Sequence, residues 1–500
     1  MWIEATLFIF ILGLLLYLDS KKPKNFPPGP VWWPVVGSAL AIHRLRKEMG
    51  GYLYLASVKM AEQYKTGCVG LRIGKDRTVV CTSYEAVREM MMREDFDGRP
   101  HGPFYETRTW GVRRGLILTD EEFWQEQKRF VLRHLREFGF GRKTMAGLTE
   151  DEAAALVESF EKRIAKSGKN GILVEMSNAF NVCVLNTLWS MLAGIRYNPE
   201  EKELQDLQTL LTELFANIDM VGALFSQFPV LQYLAPEISG YNKFMYIHKQ
   251  LWKFLRAELD SHKASFVPDK PRDLMDVYLQ MLNSPDRKPS FSEDQLLAIC
   301  LDMFMAGSET TSKSLAFCFL YMLLFPDVQK KAQEEIDRVV GRDRLPNLND
   351  RPNMPYMEAV VLESVRMFVG RTFGIPHRAR KDTTLQGYDI PKDTMLVVNF
   401  NSCMMNEKFW EDPHIYRPER FLKNGVLEVP EFYIPFGLGK HRCIGQTLAR
   451  SNVFLFTSSL LQRYDFCVPP GQAPPSTKGV DGATPGTGLY TALVKPRVFT

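Results

Sequence analysis

The stretch YIPFGLGKHRCIGQTLARSNVFLFTSSLLQRY, from Tyr433 to Tyr464, sets one cysteine in a glycine-punctuated basic loop directly before a long segment with helical apolar periodicity. Its glycines permit tight turns and let backbone approach a flat partner closely. The free amides of the following helix and the nearby basic side chains lower a thiol's pKa. The loop therefore predicts a thiolate at Cys443, acting as a nucleophile or a metal ligand; the alternative is a buried structural cysteine. The residues concerned are Gly437, Gly439, Lys440, Arg442 and Gly445.

Bulk composition predicts one large domain. The 500 residues contain no Gly/Ser-rich or charge-block linker and no evident internal repeat. A hydrophobic content of 45%, with 33 Phe and 22 Met, can fill a sizeable core. The 8 cysteines show no CxxC pair, which argues against a disulfide scaffold and structural zinc. The net charge of +4 is unremarkable, and we expect no nucleic-acid partner.

The N-terminus predicts a membrane anchor over residues 1–20. The run ATLFIFILGLLLYL is uncharged, Glu4 precedes it and lysines follow it, whereas a cleaved signal peptide has a positive residue before its apolar run. Positive charge after the anchor predicts a cytosolic body. Residues 21–30, rich in lysine and proline, form a stiff hinge that separates the anchor from a catalytic domain at 31–500.

Helical patterns dominate the body, so the fold class is mainly α. Apolar residues recur at spacings of three and four in several long segments, while β-prone runs such as GLRIG, RTVVCTS and TMLVVNF are few. Ser292 is predicted to cap a helix that continues to Phe325, which is unusually long for a globular protein.

Several motifs together resemble the cytochrome P450 monooxygenases. The signature Phe436-x-x-Gly439-x-x-x-Cys443-x-Gly445 is similar to the family's haem-binding loop, and the other motifs follow the family's order over nearly the whole chain. The resemblance implies a helical, haem-enclosing prism with small sheets, haem b as cofactor and Cys443 as the axial thiolate of its iron. The other motifs are PPGP, Trp124-x-x-x-Lys128, AGSETT from Ala306 to Thr311, Glu363-x-x-Arg366 and Pro418-Glu-Arg-Phe421.

The resemblance assigns further roles. Glu363, Arg366 and Arg420 would form a buried network supporting the cysteine side of the haem, although Glu-x-x-Arg occurs four times in this chain and is often an ordinary helix pair. A second set would bind the haem propionates, although Trp124 and Lys128 alone also fit a packed indole beside a solvated lysine. Many members of the family carry arginine at position 441, so either His441 or Arg442 meets a propionate here. The propionate set is Arg99, Trp124, Lys128, His377 and His441.

Glu309 and Thr310 are predicted to relay protons to bound dioxygen, because an acid and an alcohol lie together within the long helix. The alternative is a helix kink with a solvated glutamate. Hydroxyls bonding to carbonyls four residues earlier would open the helix locally, and Ala306-Gly307 leaves room beside them. The resemblance implies electrons from NADPH through a flavoprotein reductase on a basic face, with cytochrome b5 as a second candidate donor, and a location in the endoplasmic reticulum membrane.

The pocket is predicted to be apolar and to take a lipophilic small molecule. The motifs of the chain are similar to those of insect microsomal enzymes that handle terpenoid hormones. This resemblance implies epoxidation of methyl farnesoate in juvenile hormone biosynthesis. Ecdysteroid or other steroid hydroxylation and xenobiotic oxidation remain alternatives, as do a reductase-independent peroxide-rearranging enzyme and a non-catalytic haem binder. The predicted lining is Phe215, Ile218, Met220, Val221, Phe373 and Leu489.

Overall fold

The structure is a computed structural model that describes residues 2–141, 143–168, 170–218 and 222–498. Helices dominate these residues, which confirms the predicted fold class. The first nine α-helices are α1 Trp2–Ser20, α2 Ala39–Glu48, α3 Leu53–Tyr64, α4 Tyr84–Met92, α5 Pro103–Thr107, α6 Glu121–Glu137, α7 Lys143–Ser167, α8 Asn181–Ala193 and α9 Lys202–Asn217. The others are α10 Leu224–Gln227, α11 Leu231–Leu234, α12 Tyr241–Ala264, α13 Leu274–Leu282, α14 Glu293–Leu324, α15 Pro326–Val339, α16 Pro355–Val369, α17 Asn401–Met404 and α18 Gln446–Arg463.

The sheets are small. A four-stranded sheet has the order β1-β2-β7-β4, in which β2 and β7 run parallel and the other pairs antiparallel. The three predicted β-prone runs form β1, β2 and β7 of this sheet. A three-stranded sheet has the order β10-β11-β3, and two hairpins complete the set. The strands are β1 Cys68–Ile73, β2 Asp76–Cys81, β3 Ile172–Glu175, β4 His377–Arg378, β5 Thr383–Leu385, β6 Tyr388–Ile390, β7 Met395–Val398, β8 Leu422–Lys423, β9 Val426–Leu427, β10 Tyr464–Cys467 and β11 Thr491–Pro496.

The long helix α14 runs through the middle of the core. Ser292 begins it as predicted, since its Oγ accepts a hydrogen bond from the Gln295 amide at 3.1 Å. The N-terminal half of α14 belongs to one buried apolar cluster and the C-terminal half to another. The polar AGSETTS stretch lies between the two clusters, and α8 packs against it at Gly307. Helices α16 and α18 also pack against α14.

The N-terminal helix α1 is long and apolar enough to cross a membrane, and none of its residues is buried. Its last turn contacts the body, because Asp19 forms an ion pair of 2.7 Å with Arg72 of β1. The following proline-rich segment also packs: Phe26 is buried and contacts Trp32 edge to face. A Cβ on Gly29 would lie 2.1 Å from the Gly70 carbonyl oxygen. The proline-rich segment therefore packs directly against strand β1 of the sheet.

Candidate functional site

The Cys443 loop is held by its backbone. The Cys443 amide donates to the Phe436 carbonyl at 2.9 Å, which closes the loop just before α18 begins. Gly437 and Gly439 have φ of 72° and 68°, values that favour glycine. A Cβ on Gly439 would lie 2.1 Å from the Met91 carbonyl oxygen, so a larger residue would displace the loop.

The Cys443 thiol combines exposure with a desolvating environment. Its side chain is accessible to solvent, yet burial among protein atoms raises the pKa of the thiol. This combination places the sulfur on the wall of an interior space. The amides of Gly445 and Gln446 and the charge of Arg442 act in the opposite direction and stabilise the thiolate. The expectation of a lowered pKa is wrong for the free thiol, because burial outweighs these donors.

Two neighbours of the cysteine differ from expectation. Lys440 forms an ion pair with Glu94 instead of facing the sulfur. Gly445 has an ordinary φ of −83°, and a Cβ there would meet only the Cys443 sulfur, at 3.8 Å. Backbone strain therefore does not require glycine at position 445. The absence of a side chain instead keeps the space beside the sulfur free for a flat group.

Thr310 is exposed although it lies in the middle of a buried helix, so it faces interior space. Its Oγ1 donates to the Ala306 carbonyl at 2.8 Å, as expected for a threonine within a helix. The helix nevertheless stays α-helical throughout, and the expected local opening is not observed. Gly307 has another role, because a Cβ there would lie 2.3 Å from Leu188 Cδ2 of α8. Its small size serves packing between two helices.

Glu309 turns away from this space. Its carboxyl is 2% exposed and accepts a hydrogen bond from Thr212 Oγ1 of α9 at 2.7 Å. Burial raises the pKa of Glu309, while Lys313 and the Thr212 hydrogen bond lower it. The acid and the alcohol predicted to act together therefore face different sides of α14.

An aromatic and cationic cluster gathers between α6, β4 and the cysteine loop. The rings of Trp124 and His441 stack with centroids 4.1 Å apart, and His377 meets His441 edge to face at 5.2 Å. Lys128 Nζ lies 4.5 Å from the centroid of the Trp124 ring. Four residues predicted to bind propionates are thus brought together. Arg442 instead donates to Gln446 at the surface.

Arg99 adds a buried positive charge to this cluster. Its guanidinium is buried and donates to the Pro376 carbonyl at 2.8 Å, while its Nε has no hydrogen-bond partner among the described residues. Burial lowers the pKa of Arg99 to about 10. Burial and Arg99 together lower the pKa of His377 to about 3, and the same two causes, burial first, strongly lower that of His441. A buried cluster with excess positive charge fits an anionic group such as a haem propionate.

Glu363, Arg366 and Arg420 form a buried network. Arg366 donates to both carboxylate oxygens of Glu363, at 2.7 and 2.8 Å, and Arg420 Nε donates to Oε1 at 3.0 Å. Arg366 also donates to the carbonyls of Met404 and Pro413. The network thus fastens α16 to the irregular segment that precedes the cysteine loop.

The cytochrome P450 family model matches residues 27–488. The chain is a cytochrome P450. Probable cytochrome P450 303a1 of Drosophila melanogaster is 47% identical over 99% of each chain. Farnesoate epoxidase of Bombyx mori is 36% identical over 98% of each chain. Cytochrome P450 2J2 of Homo sapiens is 32% identical over 93% of this P450 and 91% of the relative.

Members of this family are haem-thiolate monooxygenases that use a cysteine thiolate as axial ligand and receive electrons from NADPH through a reductase partner. The site described above fits the cofactor on three counts. The thiol of Cys443 faces interior space, glycine flanks it at position 445, and a buried cationic cluster lies nearby.

Sequence reasoning missed two neighbours of Glu309. Lys313 lies one turn after Glu309 on α14, and the i,i+4 spacing of an acid and a lysine indicates an ion pair on one helix face. Thr212 is 97 residues away in sequence, and no local pattern indicates its contact. Of the predicted pocket residues, Met220 and Val221 lie outside the described residues. Phe215, Ile218 and Phe373 are half-buried, and Leu489 is exposed.

Proposed function

We propose that this P450 is anchored in the endoplasmic reticulum with its catalytic domain on the cytosolic side, and that it epoxidises methyl farnesoate with NADPH, dioxygen and a flavoprotein reductase. The full-length similarity to Bombyx mori farnesoate epoxidase carries the choice of substrate. The apolar helix α1 and the lysines that follow it support the location.

Cys443 is proposed as the axial ligand. Bound haem would activate dioxygen and insert one of its atoms into the substrate. Two backbone amides and Arg442 favour the thiolate that the iron requires. Phe436 and Gly439 shape the loop, and Gly445 leaves space at the sulfur.

Arg99, Trp124, Lys128, His377 and His441 are proposed to hold the propionates. Arg99 and Lys128 bring positive charge, and the indole of Trp124 brings an N–H donor. His377 and His441 are held beside them, because His377 Nδ1 donates to the Phe96 carbonyl at 2.7 Å and His441 Nε2 donates to the Asp97 carbonyl at 3.0 Å. The carboxylates would in turn relieve the excess positive charge of the cluster. The network of Glu363, Arg366 and Arg420 is proposed to keep the cysteine loop in register, through the contact of Tyr433 with the Leu362 carbonyl at 2.9 Å.

Thr310 and Glu309 are proposed to deliver the protons that oxygen cleavage consumes. Thr310 faces the interior space, so its hydroxyl would hold a proton donor at the reacting centre. Glu309 is buried against α9 and would supply that donor from behind the helix.

A basic surface supports the reductase as partner. Arg129, Arg133 and Arg136 of α6 are exposed, as is Arg442 beside the cysteine. Such a face attracts an acidic electron donor, and cytochrome b5 would dock by the same attraction.

Methyl farnesoate is long, apolar and uncharged, so burial in an apolar pocket contributes roughly 25 cal/mol per Å² of its surface. Its ester needs a polar contact that keeps it away from the iron. The candidates are Thr372, Thr484 and Thr487. Thr487 is the strongest of the three, because its Oγ1 is buried without a hydrogen-bond partner among the described residues. Thr372, in contrast, already donates to the Val369 carbonyl at 2.9 Å. The distal double bond would then face the oxidant.

The test is turnover of methyl farnesoate by the full-length holoprotein with reductase and NADPH. We expect a water-displacing spectral change on binding and a terminal epoxide as the main product. Turnover of an ecdysteroid or a xenobiotic without any epoxide would assign the alternative hydroxylase function. Product formation without NADPH or reductase would assign a peroxide-rearranging enzyme.

A further inference from the structure

Lys313 is a buried lysine on the same face of α14 as Glu309. It is 5% exposed, and its Nζ lies 4.0 Å from Glu309 Oε2. It also donates to Asn178 Oδ1 at 3.2 Å. Among the residues that the structure describes, Glu309 is the one carboxylate within ion-pair distance of this ammonium. A buried ammonium without such a partner would be strongly destabilising, so the two charges are coupled.

A polar cleft reaches the partners of both side chains. It has a volume of about 570 Å³ between α7, α8 and α9, and its lining includes Thr212 and Asn178. Gln208 and Asn181 also line it, and each has a buried polar atom without a hydrogen-bond partner in the described protein. Such atoms are usually satisfied by ordered water when the site is polar and roomy.

Glu309 turns away from the space that Thr310 faces and contacts Thr212, which lines this cleft. Its Oε1 accepts from Thr212, while its buried Oε2 has no hydrogen bond and only Lys313 nearby. Gly486 packs against Lys313, since a Cβ there would lie 4.0 Å from Nζ. The carboxyl is thus held between Thr212 of α9 and Lys313 of its own helix.

We infer that Lys313 is a positioning residue, which holds the Glu309 carboxyl against Thr212 of the cleft wall so that Glu309 takes up protons that enter by the cleft. The inference rests on the proposed monooxygenase function. In each transfer, the carboxylate takes up one proton from the bulk solvent by way of the cleft. The neutral carboxyl then gives up this proton toward Thr310, where the oxygen chemistry supplied by bound haem would consume it, and returns to the carboxylate. No electron moves in this step.

The sign of the pH dependence follows from the groups around Glu309. Lys313 is the charged group that acts on it, while Thr212 of α9, Asn178 before α8 and Gly486 of the C-terminal loop are neutral. Without Lys313, burial would raise the pKa of Glu309 further. Since the protonated carboxyl is the donor, proton delivery in Lys313→Met should persist to higher pH than in the wild type.

The first measurement is hydrogen peroxide released per NADPH consumed, from about pH 6 to about pH 8.5, with holoprotein and reductase. In Lys313→Met, the pH at which half of the electrons reach peroxide should rise by about one pH unit or more. Lys263→Met is the control and should leave the profile unchanged. It removes an exposed lysine of α12 that pairs with Glu293 of α14 at 2.6 Å. Lys313→Arg keeps the charge and should resemble the wild type. An unmoved profile in Lys313→Met overturns the inference.

The second measurement is thermal unfolding of the same variants, which requires no turnover. The stability lost in Lys313→Met should grow as pH rises, because the folded protein must then ionise an unpaired buried carboxyl. This loss should disappear when Glu309→Gln is also present, since the substitutions act on one pair. If the stability lost in Lys313→Met is the same at every pH and is unchanged by Glu309→Gln, Lys313 and Glu309 do not act as a pair. Wild-type protein that oxidises no NADPH would refute the proposed function, and the unfolding data alone would then decide the role of Lys313.

Discussion

Glu363→Gln should destabilise the protein by about 3–5 kcal/mol. Four hydrogen bonds converge on this carboxylate: two from Arg366, one from Arg420 and one from the Arg417 amide. The amide oxygen of glutamine can keep the bonds at one position, but its NH₂ group would face an N–H donor at the other. Two buried guanidinium groups would also lose their counter-charge. The glutamine has the same size, so the loss measures charge and hydrogen bonding rather than packing.

The assay is urea unfolding of holoprotein, followed by haem absorbance and tryptophan fluorescence and compared with the wild type. Glu85→Gln is the matched control, because Glu85 and Arg88 form the same Glu-x-x-Arg pattern at an exposed position. That control should change the free energy of unfolding by less than about 0.5 kcal/mol. If both variants unfold at the wild-type urea concentration, the network does not support the fold and the reasoning fails.

Three further outcomes are expected. Lys128→Met should speed haem transfer to apomyoglobin about threefold or more, whereas its exposed neighbour Arg129→Met should not; equal rates would remove Lys128 from the propionate site. Thr310→Ala should retain haem but release more hydrogen peroxide per NADPH, and unchanged coupling would exclude its hydroxyl from proton delivery. Deleting residues 2–18 should release folded haem protein from membranes, while deleting residues 2–26 should also lower its thermal stability, because Asp19 and Phe26 contact the body. Equal stability of the two truncations would show that these contacts contribute nothing.

The spacing of motifs predicted those features that depend on residues close together in the sequence. The Cys443 loop, the long helix with its Ser292 cap and the Glu-x-x-Arg pair each depend on short-range patterns with a clear physical reading. Of the four Glu-x-x-Arg pairs, the one chosen by its distance from the cysteine loop, Glu363 with Arg366, is fully buried. The other pairs show why the motif alone was insufficient, since Glu126 pairs with Lys288 instead of Arg129.

What sequence could not predict depends on contacts between distant segments. Glu309 faces α9 because Thr212 is there, and Gly307 is small because Leu188 packs on it. The pKa of Cys443 rises because burial outweighs its local donors, and local sequence does not report burial. Lys440 was expected to face the sulfur, but Glu94, far away in sequence, pairs with it.

The most direct test of the account is the reduced carbon monoxide spectrum of Cys443→Ser. An alcohol cannot supply the electron donation of a thiolate, so the long-wavelength Soret band should disappear. Cys467→Ser is the control, because that cysteine is also partly accessible but lies on β10, outside the loop. The control should keep the full band. A band that persists in Cys443→Ser would contradict the assignment of Cys443 as the axial ligand.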